Sequence, residues 1–326
     1  MSQMERLKGR VLVTGATGFI GRDLVRWLAA EGWRVHAAAR DPRAIAGGDG
    51  IEAVALGDLA HGVDWRPLVE GMSHVVHLAG IAHATTRIPD ATYHAVNAEA
   101  VRTLAIAARD AGVGRVVMMS SIRAQCGPSV RGTLSEERAP TPVDAYGRSK
   151  LEGEQMLADV LAGSETDWCA LRPVVVYGPG VKANMASLAR LARTPWPLPI
   201  GGLHARRSVL GLANLRAGVQ HAVTSPSVSR GAYLFADPKP VSVSDIVAAM
   251  RLGLNRAPGI FTLPLAPARL ALKVAGRGAV WDRIAGDLVV STAALEATGW
   301  RPVEIGREGL ARWMREEEQA RAPSLA

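Results

Sequence analysis

"VLVTGATGFIG", residues 11–21, decides the fold of this chain. An apolar run from Val11 to Thr14 leads into Gly15, and a helix-forming stretch opens at Phe19, so the segment reads as strand, tight turn and helix. The glycines stand at 15, 18 and 21, a G-x-x-G-x-x-G spacing one residue wider than the G-x-G-x-x-G dinucleotide pattern. The physical demands are the same: a tight turn, close approach of backbone to a pyrophosphate, and close packing of helix on strand. Free N–H groups and the positive end of the helix dipole then face the anion. A glycine triplet alone is compatible with an ordinary turn. Its place between a first strand and a first helix makes it a dinucleotide site.

Working outward, strands and helices alternate. "WRVHAAAR", "IEAVALGD", "SHVVHLAG", "GRVVMMSS" and "DWCALRPVVVYG" read as further strands. "ATYHAVNAEAVRTLAIAARDAG" and "VDAYGRSKLEGEQMLADVLA" read as long helices. Strands that are continuous apolar runs belong to a parallel sheet covered on both faces. The fold class is therefore α/β: a Rossmann-type doubly wound parallel sheet. The alternation fades after Tyr177, where "TPWPLPIGG" and "FTLPLAPAR" break up shorter elements. This predicts a dinucleotide-binding domain over 1–180 and a mainly substrate-binding lobe over 181–326, with an interleaved boundary.

Composition excludes several classes. At 326 residues and 48% hydrophobic content the chain can bury a large core. No run of 18 apolar residues is uninterrupted; the nearest, "GIFTLPLAPARLALKVAG", contains Pro264, Pro267, Arg269 and Lys273, so no membrane association is expected. The start of the chain enters a strand by Arg10 without a secretory apolar region. Two cysteines, Cys126 and Cys169, make no disulfide framework, and neither they nor His36, His61, His74 and His83 show metal-ligand spacing. The expected compartment is the cytoplasm, with no metal. Net charge is +8, but only five of the 38 basic residues are lysines, and the arginines are scattered rather than striped with aromatics. A nucleic-acid partner is not expected; some arginines suit phosphate groups of a small ligand.

"DAYGRSK", residues 144–150, sets a phenol four residues before an ammonium. On a helix these share a face, so Tyr146 and Lys150 can address one point. A surface pair is the plain alternative. A tyrosine near pKa ~10 is a poor base at neutral pH, and a neighbouring cation favours its phenolate.

"TGATGFIG", "HLAG" at 77–80, Ser120-Ser121 at the end of the fifth strand, "YGRSK" and "RPVVVYGPG" at 172–180 occur together and in order. In this the chain resembles the extended short-chain dehydrogenase/reductases of the NAD-dependent epimerase/dehydratase family. The resemblance implies that Tyr146 is the general acid or base, that Lys150 supports it, and that a strand-end serine binds the reacting oxygen: Ser121, with Ser120 as the alternative. It places Gly15, Thr17, Gly18, Phe19, Ile20, Gly21, Arg40, Asp58, Leu59, Leu78, Ala79, Gly80, Asn97, Tyr146, Lys150 and Pro173 around the cofactor. Asp58 would meet the adenine amino group, or else cap its own turn. Asn97 would hold its helix against the site, or else bond locally. Asn184, Arg207 and Arg283 would contact a substrate diphosphate, with surface arginines as the alternative for the last two. A homodimer through the helices around 90–112 and 144–163 is a further expectation.

The expected cofactor is NAD(P). "VHAAARDP" puts Ala39 where an acid would hold the ribose 2′-hydroxyl, followed by Arg40, which suits a 2′-phosphate, so NADP is favoured; Asp41, twenty residues after Gly21, is the rival ribose ligand. The implied reaction is hydride transfer at C4 of a nucleoside-diphosphate sugar, by a 4-epimerase or a 4-keto-reductase. A 4,6-dehydratase would need a carboxyl pair after the serine, where Ile122 and Arg123 stand. The alternatives are an NADP-dependent reductase of small lipophilic carbonyls, which needs no diphosphate arginines, and a non-catalytic dinucleotide sensor, which needs no tuned phenol.

Overall fold

The computed structural model describes residues 8–82, 88–264, 266, 274, 276 and 285–321. Its centre is a seven-stranded parallel sheet. The strands are β1 Arg10–Thr14, β2 Arg34–Ala39, β3 Ile51–Ala55, β4 His74–His77 and β5 Arg115–Met119, and then β7 Asp167–Pro173 and β11 Ala232–Phe235. The short strand β6, Thr133–Leu134, lies outside this sheet. The order is β11-β7-β5-β4-β1-β2-β3, so the chain reverses direction across the sheet between β1 and β4. Open α/β sheets bind ligands in the crevice at that switch point, beyond the carboxyl ends of the strands.

Both faces are covered, as the continuous apolar strands require. Alternate residues of β1 divide between them: Val11 and Val13 join one core, with Leu24, Val25 and Leu28 of α1 (Phe19–Ala30), while Leu12 joins the other. That second core takes Val101 and Leu104 of α4 (Ala100–Asp110) and Leu157 of α6 (Ala145–Val160). The first also takes Leu215 and Val219 of α8 (Leu212–Thr224). The doubly wound parallel sheet expected from the alternation is thus present.

The helix expected over 91–112 is not uniform. It runs as α3 (Asp90–His94), a π-helical turn at Ala95–Glu99, and α4. A π turn rotates the face presented by the helix and commonly marks a working site; here Asn97 is in it.

Beyond Tyr177 a third apolar core gathers α7 (Ala183–Arg193), α9 (Val243–Gly253) and the helix Gly306–Arg321, through residues such as Met185, Ala189, Ile246, Leu310 and Trp313. Short strands accompany it: β8 (Val175–Tyr177) pairs with β10 (Val209–Gly211), and β9 (Arg206–Arg207) with β12 (Val241–Ser242). Strand β13, Val289–Val290, pairs with β6. Strand β11 and helix α8 return from this part of the sequence to the central sheet. No described helix is long and apolar enough to cross a membrane.

Candidate active site

The glycine turn lies at the switch point. Gly15 has φ +70°, the left-handed region that favours glycine, and a side chain there would meet Ala79 N at 2.9 Å. Gly18 is the N-cap of α1 and supplies no capping side chain, so the first N–H groups of a twelve-residue helix are left to a ligand. A Cβ on Gly21 would lie 2.1 Å from Gly15 O, so only glycine permits α1 to sit this close to the turn. These features fit a dinucleotide pyrophosphate. Thr17, Phe19 and Ile20 complete the turn, all partly exposed.

Thr14 ties this turn to the end of β4. Its Oγ1 accepts from the N–H groups of Leu78 and Ala79, each at 3.1 Å, and stands 2.9 Å from His77 Nδ1. Burial drives the His77 imidazole down to about 3, with the Lys150 charge adding to the effect, so it is neutral at ordinary pH. The segment 78–80 touches Gly15 on one side and Lys150 on the other: a Cβ on Gly80 would meet Asn97 Oδ1 at 2.7 Å and Lys150 Nζ at 3.1 Å.

Asn97 bonds across the site rather than along its own helix. It accepts from Ile81 N at 3.0 Å and donates to Ile81 O at 3.0 Å and to Ser149 Oγ at 3.1 Å. It thus clamps the strand exit to α6. Helix α6 comes close because Gly153 faces the π turn, where a Cβ would meet Asn97 O at 2.3 Å. Asp144 starts α6 by accepting from Gly147 N at 2.8 Å, and its other oxygen takes Arg123 Nη2 at 2.6 Å.

One turn inside α6 are Tyr146 and Lys150. Burial pushes the Tyr146 phenol up, while a hydrogen bond with the Ser121 side chain pulls it down; Asp144 raises it and Arg123 lowers it. Lys150 is buried and donates to Met119 O at 3.1 Å. Burial lowers its ammonium to about 8, against the opposing charge of Glu154. Of the two serines at the end of β5, Ser121 reaches Tyr146 and also caps α5 (Ile122–Gln125), accepting from Arg123 N at 3.2 Å. Ser120 points the other way, donating to Glu154 Oε1.

The remaining expected residues are more dispersed. Asp58 accepts from Ala60 N at 3.0 Å and pairs with the His61 ring at 2.9 Å, which together hold its carboxyl below the usual range, Arg40 adding a smaller pull. Leu59 follows in the same turn, and Pro173 is buried at the end of β7. Arg40 is exposed just past β2. Asp41 caps the next turn, accepting from Arg43 N at 3.1 Å and Arg43 Nε at 3.0 Å. Asn184 is exposed on the first turn of α7. Arg207 donates to Pro128 O at 2.8 Å and Gly286 O at 3.2 Å; burial lowers its guanidinium, with Asp287 opposing. Arg283 lies outside the described residues, as does His83.

The sequence reading missed the buried polar group behind the site: Glu154, Arg172 and Gln125. Two signals were there. Glu154 is four residues past Lys150 on the same helix, and Arg172 follows the apolar run Trp168–Leu171 in a buried strand, where a charge needs a partner.

An uncapped helix behind a glycine turn, joined through 78–80 to a serine, tyrosine and lysine, defines a dinucleotide-dependent enzyme of the extended short-chain dehydrogenase type. The chain belongs to the NAD dependent epimerase/dehydratase family, which it matches over residues 11–210. It is 32% identical over 306 residues to a UDP-glucose 4-epimerase of Vibrio cholerae, covering 92% of each chain. It is 30% identical over 284 residues to a ceramide reductase of Caulobacter vibrioides, covering 78% of this chain and 82% of the relative. Among solved structures it is similar to MoeE5 in complex with UDP-glucuronic acid and NAD, with a TM-score of 0.73 and 26% identity over 96% of this chain and all of that one.

Proposed function

We propose that the protein transfers hydride at C4 of a nucleoside-diphosphate sugar, as a 4-epimerase or a 4-keto-reductase. The observation that carries the reading is the Tyr146 phenol, hydrogen-bonded to Ser121 and one turn from the buried Lys150, beside a segment that also touches the glycine turn. The bound dinucleotide supplies the hydride chemistry. The chain's residues manage the proton and the position. Ser121 binds the C4 oxygen. Tyr146 takes the hydroxyl proton as that oxygen becomes a carbonyl and returns it on reduction. Lys150, charged below about 8, favours the phenolate that burial opposes. The 4-epimerase relative and the UDP-sugar complex of MoeE5 support the choice of substrate class.

Arg207 and Asn184, with Arg283, are the residues we assign to the diphosphate. Two carbonyls from distant segments set the Arg207 guanidinium in place before any ligand arrives. UDP is expected to bind the free protein, and Arg207→Ala to lose about 1.5–3 kcal/mol of that binding, the range for a hydrogen bond to a charged group. Dinucleotide affinity stays nearly unchanged. Calorimetric titration with UDP checks both. The ceramide reductase relative favours a second reading, reduction of a lipophilic carbonyl; absence of UDP binding together with turnover of an apolar ketone selects it.

For the cofactor we favour NADP over NAD. Ala39 ends β2 without a carboxylate, Asp41 is engaged by its own turn, and Arg40 stands exposed between them. Arg40→Ala is expected to weaken NADP binding about tenfold or more and leave NAD binding nearly unchanged, because only NADP carries the 2′-phosphate. Fluorescence titration with the two reduced cofactors measures the difference, and an equal loss for both rejects the assignment. We further expect a cytoplasmic homodimer.

A further inference from the structure

The face of α6 that carries Tyr146 and Lys150 continues one turn on to Glu154. Glu154 is only 4% exposed, among equally buried polar groups. Arg172 of β7 donates from Nε to both its oxygens, at 3.0 and 3.1 Å, and from Nη2 to Oε2 at 2.5 Å. The Ser120 hydroxyl donates to Oε1. Arg172 also donates to Gln125 Oε1, and Gln125 Nε2 donates to Arg138 O at 2.5 Å. One carboxylate therefore joins the end of β5, α6 and β7, with α5 attached through Arg172.

Ser120 is flanked by two groups of the reaction centre. Met119 O, before it, accepts from Lys150 Nζ; Ser121, after it, bonds Tyr146. Successive residues of an extended chain face opposite ways. Holding Ser120 inward on Glu154 therefore turns Ser121 outward to the phenol. We propose that Glu154 is a positioning residue of the reaction centre: anchored by Arg172, its carboxylate fixes Ser120, sets the Met119 carbonyl against Lys150 and the Ser121 hydroxyl against Tyr146, and serves as counter-charge to the Lys150 ammonium. This rests on the reading of Tyr146 and Lys150 given above. Stability alone does not account for the arrangement, since apolar residues of similar volume often replace a buried ion pair at no cost.

The charges around Lys150 give the proposal its sign. Glu154 faces it from its own helix, and His77 from β4. Arg172 lies behind Glu154, and the Arg123–Asp144 pair beyond Tyr146. His77 is neutral and Arg123 is matched by Asp144, which leaves Glu154 as the group that opposes the burial of Lys150. Without it the ammonium gives up its proton at lower pH and ceases to assist Tyr146 near neutrality.

The chain has five lysines, so protein grown on 13C-lysine has few side-chain signals, and Lys150→Arg identifies the one at 150. Removing one partner of a buried pair strands the other charge and endangers the fold. Both are therefore replaced together, Glu154→Met with Arg172→Met. This variant is expected to fold and to bind the dinucleotide within about twofold of wild type. Its Lys150 midpoint should fall by about one pH unit. Turnover of the nucleotide sugar should fall about 10–100-fold at unchanged KM. Ser120→Ala keeps the ion pair; its Lys150 midpoint should stay in place while kcat falls about tenfold. A folded double variant with wild-type Lys150 midpoint and kcat overturns the proposal. So does wild-type kcat in Ser120→Ala, which decides the matter alone if the double variant does not fold. The Lys150 midpoint is read without substrate, so its result stands apart from the reading of Tyr146, which Tyr146→Phe tests separately.

Discussion

Tyr146→Phe should fold, bind dinucleotide like the wild type and turn over about two to four orders of magnitude more slowly, the usual loss when a positioned acid–base group is removed. The substitution deletes one oxygen. The ring keeps its packing, including its tilted contact with Tyr93 at 6.2 Å between centroids. Neither the glycine turn nor the Thr14 clamp uses the phenol. What disappears is the group to which we assign the proton exchange with the substrate oxygen. Burial alone would make that phenol a worse base than a free tyrosine; the hydrogen bond from Ser121 and the nearby Arg123 charge pull the other way. Steady-state turnover with a nucleoside-diphosphate sugar, beside a dinucleotide titration, measures both halves. A mutant within tenfold of wild type in kcat removes Tyr146 from the mechanism.

The second large effect is expected at Gly21. A methyl group there would lie 2.1 Å from Gly15 O and 2.9 Å from Gly15 C and Ala16 Cα. All three are backbone atoms of the turn, so no side chain can swing away to make room. Either α1 moves off the strand or the turn opens. Overpacking of this kind costs about 1–3 kcal/mol. The displaced atoms include those that would face the pyrophosphate, so dinucleotide affinity should fall at least about tenfold as well, about 1.4 kcal/mol. Thermal unfolding and dinucleotide titration of Gly21→Ala test this. Wild-type values in both would show that the helix and turn can separate freely, contrary to the packing described.

Much of the fold is legible in the sequence because its signals are local. Apolar runs of strand length, alternating with helical periods, need a sheet covered on both faces, whatever their partners. Gly15 and Gly21 report a backbone that leaves no room for side chains between a strand and a helix. Tyr146 and Lys150 are four apart on a helix, so their common face follows from helical geometry. The resemblance to the epimerase/dehydratase family rests on those same stretches, and the match over residues 11–210 bears it out.

Other features are set by contacts between elements far apart in sequence. Ser120 and Ser121 are adjacent and chemically identical; which one faces Tyr146 depends on the carboxylate of Glu154, 34 residues on. The sequence around Asn97 reads as uninterrupted helix, and the π turn forms where Gly153 packs against it and Ile81 and Ser149 take its amide. Arg172 shows in the sequence only as an arginine among apolar residues, and its ion pair becomes evident once β7 lies beside α6. Residue spacing and burial period fix how a segment folds and which side it hides. The pairing of buried polar groups is chosen by the packing of segments, because each group must find its hydrogen bonds among whatever neighbours the closed core brings within reach.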